Sequence, residues 1–415
     1  MVREIAISVY LFVFRILFNS FKIFPQKKKT VAVTSFGDNI FYATKALRDI
    51  SSEDIIILKD SSCHYQFNHS ITEVISFSKK QPFAFLKSIY HLATAKNILI
   101  DNYFGFLSVT QFKPGTTCIQ LWHAAGALKQ FGLQDPSTSG KSRRAIDRFR
   151  KVYGRFDYTV VGSEKMADIF KDCFALTDNR ILRYGVPRTD FFFNLEEYKK
   201  SYNRLKHEFP SFNDKKIILY APTFRSGKLT NSQLEVDIKQ LYDNLSEEYI
   251  LIVKFHPAVT YTLPKVYEDF IFDLSSYNDT NALLLITDIL ITDYSSIPFE
   301  FSLLDKPTIF YAYDKEEYKK TNGLIEDYDN NMPGPIVSTT EEIVSVIKQN
   351  NFDIQATREF AKIWNAYSMG NSSLNVAKLL AGIVHGTGQD YKNEADIEVP
   401  NVKQNESAFI RKALT

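Results

Sequence analysis

Cysteine is scarce in this chain of 415 residues: Cys63, Cys118 and Cys173 are odd in number and far apart. Such spacing builds neither a disulfide framework nor a zinc site, and it fits a reducing compartment. An excess of one charge is lacking too. Fifty Lys and Arg stand against 48 Asp and Glu, a net charge of +2. That excludes general attraction to nucleic acid, so any anion recognition must be local. The uncharged apolar run at the N-terminus covers only residues 5–14 before Arg15 interrupts it, about half of a bilayer span. No small-residue cleavage site follows, which argues against a cleaved signal peptide. There is no Walker loop and no GxGxxG after the first apolar strand pattern, which argues against an ordinary kinase or a dinucleotide dehydrogenase. No repeat at a solenoid period is evident.

What is present is the mix of a folded globular protein, 45% hydrophobic and 24% charged. The length predicts two domains with an appendage. Thirty-four Phe and 23 Tyr suit large cores and ring-lined clefts. At the N-terminus Glu4, Ser8, Arg15, Asn19 and Lys22 fall within one narrow arc at about 100° per residue. Nearly every other position is apolar. The pattern predicts an amphipathic helix ended by Pro25 and followed by the basic cluster Lys27, Lys28 and Lys29. Residues 1–29 are therefore expected to associate with an anionic membrane surface; packing on the protein's own surface is the alternative, and a spanning helix is the lesser one, because Arg15 would sit near mid-bilayer.

From residue 30 short apolar runs alternate with helical stretches: 30–35, 54–59, 97–101, 117–122 and 158–163. Buried strands separated by helices read as βαβ units of a parallel sheet. A polar stretch near 190–215 reads as a helix and hinge. A second series follows at 216–222, 249–255, 288–293 and 306–312. The expected architecture is α/β with two Rossmann-like domains, 30–200 and 201–386, their parallel sheets facing a central cleft, plus a polar tail at 387–415. Ligands of such sheets sit at the carboxyl ends of the strands.

Polar residues accumulate at those ends. The first set is WHAAGALK at 122–129, where His123 can act as a base and the small residues after it would let a substrate approach the backbone. A structural His in a turn is the plain alternative. YGVPRTDFF at 184–192 forms a tight loop in which Arg188 could fork onto a phosphate, or simply pair with Asp190. YAPTFR at 220–225 brings Pro222, Thr223 and a guanidinium to the end of the second half's first strand, where they would meet an anion. KFHP at 254–257 supplies Lys254, Phe255 and His256. The fullest cluster is ITDYSSIPFE at 291–300, in which Ser295 and Ser296 precede an apolar helix and would form an anion cradle with its free N–H groups. Asp327-Tyr328-Asp329 has the form of a metal-binding DxD, though chance also produces such tripeptides.

These five segments in this order, with MPGP at 332–335, resemble the CDP-glycerol glycerophosphotransferase family of teichoic acid biosynthesis. The match spans roughly 117–335. The resemblance implies a GT-B fold on a peripheral membrane enzyme at the cytoplasmic face of the cell membrane. It implies transfer of a polyol phosphate from CDP-glycerol or CDP-ribitol to an undecaprenyl-linked glycan or polymer, with release of CMP. His123 then corresponds to the family's base. Arg188, Thr223, Lys254, His256, Ser295 and Ser296 would surround the pyrophosphate, Pro222 would shape that wall, and Phe255 counts with them as substrate-binding. Glu300 would hold the cytidine ribose. The first domain would serve the acceptor and the second the CDP-polyol. No metal is required, and a loosely held Mg²⁺ is compatible.

Three departures stand out. The family's Gly-Thr-Pro after the His is replaced by Ala124, Ala125 and Gly126, and its Asp after the serine pair is Glu300. A late Asp-Gly-Lys-type segment appears only as MGNSS at 369–373, so no role is carried over there. Two rival readings are a GT-B enzyme that uses a nucleotide sugar and an inactive membrane scaffold of the same pathway.

Overall fold

The computed structural model describes residues 2–67, 72–223, 225, 234–255, 263–325 and 327–384. His256 and the expected tail at 387–415 lie outside the described residues. Two compact units are present.

The first unit takes 2–124, 131–193 and 365–384 of the described residues. Its seven strands are β1 (Lys27–Thr34), β2 (Asp54–Lys59), β3 (Glu73–Ser76), β4 (Ala95–Ile100), β5 (Thr117–Gln120), β6 (Tyr158–Val160) and β7 (Ile181–Leu182). They are ordered β3-β2-β1-β4-β5-β6-β7, all parallel. Val31 pairs with Ile56 on one side and Ile98 on the other. Central strands covered on both faces need continuous apolar runs, and VAV, IIIL and ILI supply them.

The second unit takes 125–130 and 194–364. Its strands are β8 (Lys216–Tyr220), β9 (Tyr249–Val253), β10 (Ile271–Asp273), β11 (Ile289–Thr292), β12 (Thr308–Tyr311) and β13 (Ile336–Val337). Their order is β10-β9-β8-β11-β12-β13, again parallel. In each sheet the chain reverses direction beside the first strand, between β1 and β4 and between β8 and β11. Those switch points are where an open α/β sheet leaves a crevice at its carboxyl edge.

The division differs from the expected 30–200 and 201–386. The second unit takes 125–130 early, its main part begins at 194, and the chain returns to the first unit at 365. The cause is the helix Ser372–Ala381, whose Val376, Ala377 and Leu380 fill the first core against Ile40, Ala43 and Leu47. Asp190 accepts from Ser372 N (3.0 Å) and Ser373 N (2.7 Å) and so caps that helix. Asn97 Nδ2 donates to the Leu380 carbonyl at 3.0 Å near its other end. MGNSS thus receives a structural duty that the sequence did not reveal.

The N-terminal helix spans Val2–Phe21. Its segment Glu4–Phe21 is long and apolar enough to cross a membrane, with mean hydropathy 1.6. Leu11, Phe14 and Phe18 are buried on the first unit. Phe14 packs on Phe77, Phe85 and Phe106, and Phe18 on Phe112. The opposite face, Ile5, Val9, Phe12, Val13 and Ile16, is exposed. Glu4, in the polar stripe between them, pairs with Arg148 at 3.1 Å. The expected basic cluster is only partly available, because all three lysines open β1. Lys29 is 2% exposed; its Nζ donates to Thr94 Oγ1 at 2.8 Å and meets His91 Nδ1 at 3.1 Å. Burial, then the Lys27 charge, lowers its pKa to about 8.

Candidate functional site

His123 follows β5 on the first unit, at the carboxyl edge of the sheet. Gln120 Oε1 accepts from Trp122 N at 2.8 Å, and Trp122 takes a left-handed backbone angle, φ 59°. A large side chain held in that region costs about 1–3 kcal/mol and persists only where surroundings fix it. Here Asn39 Nδ2 donates to the Trp122 carbonyl at 3.0 Å, and Arg188 Nη1 donates to the His123 carbonyl at 2.8 Å. Asn39 Oδ1 in turn accepts from Arg188 N at 2.9 Å. The imidazole lies between two rings, Phe36 at 3.9 Å and 8° and Trp122 at 4.2 Å and 29°.

Its Nδ1 is 2.9 Å from the Asp101 carbonyl. A carbonyl only accepts, so Nδ1 carries the proton and the neutral ring keeps its lone pair on Nε2. Asp101 itself is fully buried at the end of β4. Its carboxylate accepts from the Thr34 hydroxyl and from the N–H groups of Ser35 (2.9 Å), Phe36 (3.1 Å) and Gly37 (3.0 Å). Burial pushes this carboxyl up, against the pull of those donors. One residue therefore fixes the loop after β1 through its side chain and the His123 ring through its main chain. Asp101, Asn39, Gln120 and Phe36 were not singled out from the sequence. The available signal was an Asp closing a buried strand, NILID, beside the switch point.

Gly126, among the small residues after His123, has a packing duty. Ala125–Gln130 packs in the second unit, where a Cβ on Gly126 would sit 2.5 Å from the Phe299 ring. Ile325 N donates to the Leu128 carbonyl at 3.0 Å. Close packing against the helix Ile297–Phe301 demands the missing side chain at 126.

On the second unit the expected residues gather at the ends of β8, β9 and β11. Pro222 and Thr223 follow β8 and are half-buried. Thr223 N donates to Asp293 Oδ1 at 2.8 Å. Ser295 and Ser296 follow β11, both half-buried. Ser295 Oγ accepts from Ile297 N at 3.2 Å, at the start of the helix Ile297–Phe301. Lys254 Nζ donates to the Tyr277 carbonyl at 2.7 Å, and Phe255 N to Ser275 Oγ at 2.9 Å. Phe255 is buried, and Glu300 is 2% exposed. The Glu300 carboxylate is thus interior.

Arg225 does not face an anion from solution. Its guanidinium forks onto Asp314 (2.7 and 3.0 Å) and reaches Asp293 Oδ2 at 2.8 Å and the Thr223 carbonyl at 2.6 Å. Tyr294 and Tyr318 stack at 3.9 Å beneath it, and Tyr294 Oη donates to Asp314 Oδ1 at 3.1 Å. Burial alone would raise the Asp314 carboxyl, but the Arg225 hydrogen bonds and charge hold it below the usual range. The cation is used to set the loop that carries Thr223. The DxD tripeptide is likewise structural: Tyr328 is buried, its hydroxyl donating to the Asp293 carbonyl at 3.0 Å, and Asp329 pairs with Lys315 at 2.9 Å. Among the described residues no cluster of three or more His, Cys, Asp or Glu has metal-binding geometry.

Comparison with known proteins agrees with the ordered motifs. The family model described as CDP-glycerol:poly(glycerophosphate) glycerophosphotransferase matches residues 16–382. A teichoic acid glycerol-phosphate primase of Bacillus subtilis (strain 168) is 42% identical over 307 residues, 74% of this chain and 78% of its own length. A teichoic acid poly(ribitol-phosphate) polymerase of Bacillus spizizenii is 33% identical over 84% of this chain and 55% of its own. Among solved structures, the wall teichoic acid polymerase TagF superposes with a TM-score of 0.77 over 92% of this chain and 98% of that one, at 23% identity. That likeness shows a shared GT-B-like fold. The chain belongs to the CDP-glycerol:poly(glycerophosphate) glycerophosphotransferase family.

Proposed function

We propose that this chain transfers glycerol phosphate from CDP-glycerol to a hydroxyl of a lipid-linked acceptor, releasing CMP, and that it begins a teichoic acid chain rather than extending one. The observation that carries the chemistry is His123, whose Nδ1 proton rests on the Asp101 carbonyl and leaves Nε2 as the basic nitrogen. Glycerol and the priming step are supported by the 42% identity to a glycerol-phosphate primase.

In the proposed reaction Nε2 takes the proton of the acceptor hydroxyl as that oxygen attacks the phosphorus bearing glycerol. The bond from this phosphorus to the bridging oxygen breaks, and CMP departs with the electron pair. Thr223, Lys254, Ser295 and Ser296 are assigned to the pyrophosphate, where fixed donors stabilise charge as it develops. His256 keeps its expected place in that set. Arg188 keeps its expected phosphate contact and adds a positioning duty through the His123 carbonyl. Glu300 keeps its expected place at the cytidine ribose. The transfer is proposed to require no metal, and a loosely held Mg²⁺ is compatible with the same set.

We place the enzyme on the cytoplasmic face of the membrane as a peripheral protein. The exposed face Ile5, Val9, Phe12, Val13 and Ile16 would lie in the interface, while Phe14 and Phe18 hold the helix to the first unit. A helix so anchored on one side is suited to lying flat. The test is turnover of CDP-glycerol and CDP-ribitol with a lipid-linked disaccharide, with products weighed by mass spectrometry. Addition of one or a few glycerol phosphates is expected; long ladders, or turnover of CDP-ribitol alone, would overturn the reading.

A further inference from the structure

Phe36 is a large aromatic side chain 44% exposed, although one of its faces already lies on the His123 imidazole at 3.9 Å. Its exposed area therefore belongs to the other face. The ring is not on a loose loop. Phe36 N and the N–H groups on either side of it are all held by the buried Asp101 carboxylate. Gly37 beside it has φ 107°, and a Cβ there would overlap Tyr65. The residue follows β1, next to β4, at the switch point of the sheet. A single exposed aromatic needs no explanation by itself. A rigidly seated one, parallel to the base at the crevice of the acceptor unit, presents a flat apolar plate to whatever His123 deprotonates.

We infer that Phe36 is a stacking subsite for a sugar ring of the acceptor. A pyranose offers a face of C–H groups that matches an aromatic plate, whereas an open-chain polyol phosphate offers a charged, flexible backbone that does not. A ring stacked on the outer face of Phe36 lies about 4 Å beyond it, with the phenyl ring between it and the imidazole. It is thus too far to be the sugar that reacts. Phe36 holds the sugar next to the reacting one, and the site selects a disaccharide over a monosaccharide or a polyol phosphate chain. This rests on the priming reading above and assigns the acceptor's second sugar to one residue.

The experiment compares full-length wild type with Phe36→Ala, Phe36→Leu and Phe36→Tyr. A soluble alkyl-linked pyranose disaccharide, the corresponding monosaccharide and alkyl glycerol phosphate serve as acceptors. Disaccharide binding without donor is read by calorimetry, and kcat, acceptor KM, donor KM and the pH profile of kcat are read by turnover. For Phe36→Ala and Phe36→Leu we expect disaccharide Kd and KM to rise about tenfold. Because the Phe36 ring also lies on the His123 imidazole, any fall in kcat should be shared by all three acceptors; donor KM and the KM of the two smaller acceptors should stay put, and Phe36→Tyr should restore the disaccharide. An equal rise of KM with all three acceptors, a change confined to kcat and its pH profile, or a rise in donor KM would each overturn the inference. Because calorimetry needs no turnover, a wild type that binds the disaccharide through Phe36 yet leaves CDP-glycerol intact would refute the proposed reaction and leave the subsite standing.

Discussion

Removing the Arg225 guanidinium tests how the loop after β8 is built. In Arg225→Leu, Asp293 and Asp314 keep their places but lose the cation between them. The side chains are 14% exposed for Arg225, 2% for Asp293 and 16% for Asp314, so solvent screens the pair little. Breaking a buried pair by deleting one partner costs about 3–5 kcal/mol, against a total stability of about 5–15 kcal/mol. The pH dependence has a definite sign. In the wild type Arg225 holds the Asp314 carboxyl low, so its contribution is present at neutral pH and lost as pH falls. Without the cation, burial dominates and raises that carboxyl above its unfolded value, so the defect should be greatest near neutrality and shrink as the solution is acidified. Urea unfolding followed by circular dichroism at pH 7 and pH 5 measures both effects. The double variant Arg225→Leu with Asp314→Leu should recover part of the loss, because it removes a buried charge as well as its partner. A defect below about 1 kcal/mol, or one independent of pH, would refute the view that this cation is structural.

Two further outcomes follow from the same geometry. Ser295→Ala combined with Ser296→Ala should weaken CDP-glycerol and CDP, at roughly 1.5–3 kcal/mol for each lost hydrogen bond to charge, and CMP much less; equal losses by calorimetry would move the serines to the nucleoside end. Phe12→Glu with Ile16→Glu should release the protein from anionic vesicles while leaving its melting temperature unchanged, since both side chains are exposed. Deleting residues 1–29 is a poor substitute for that test, because it would strip Phe14 and Phe18 from the core and remove the start of β1.

Long buried strands declared themselves in the sequence because a parallel sheet covered on both faces asks for unbroken apolar runs. VAV in β1, IIIL in β2 and YILIV in β9 meet that demand. The edge strands β3, β7, β10 and β13, two to four residues each, are too short to show a period. The return of 365–384 to the first unit was hidden for another reason. Its apolar face does not name its partner, and Asp190, Asn97 and the Ile40, Ala43 and Leu47 face, all far back in the chain, determine where it docks. Site chemistry divided in the same way. His123, Thr223 and the serines stand at strand ends and were legible there. Arg225 is neutralised by partners 68 and 89 positions away, and the support of His123 by Asp101 runs through a main-chain carbonyl, which no side-chain motif records. Lys29 reads as part of a basic cluster but, as the third residue of β1, points into the protein.

The role of His123 is tested most directly by substituting it and reading chemistry and donor binding apart. The wild type and His123→Ala should be compared for turnover of CDP-glycerol with a soluble disaccharide acceptor, and for CDP-glycerol affinity by calorimetry. With Nδ1 committed to the Asp101 carbonyl and Nε2 as the base, kcat should fall about 10²–10⁴-fold while donor Kd stays unchanged. Turnover near the wild-type rate would contradict the assignment, and a loss of donor affinity equal to the loss of rate would make His123 a ligand of the donor instead.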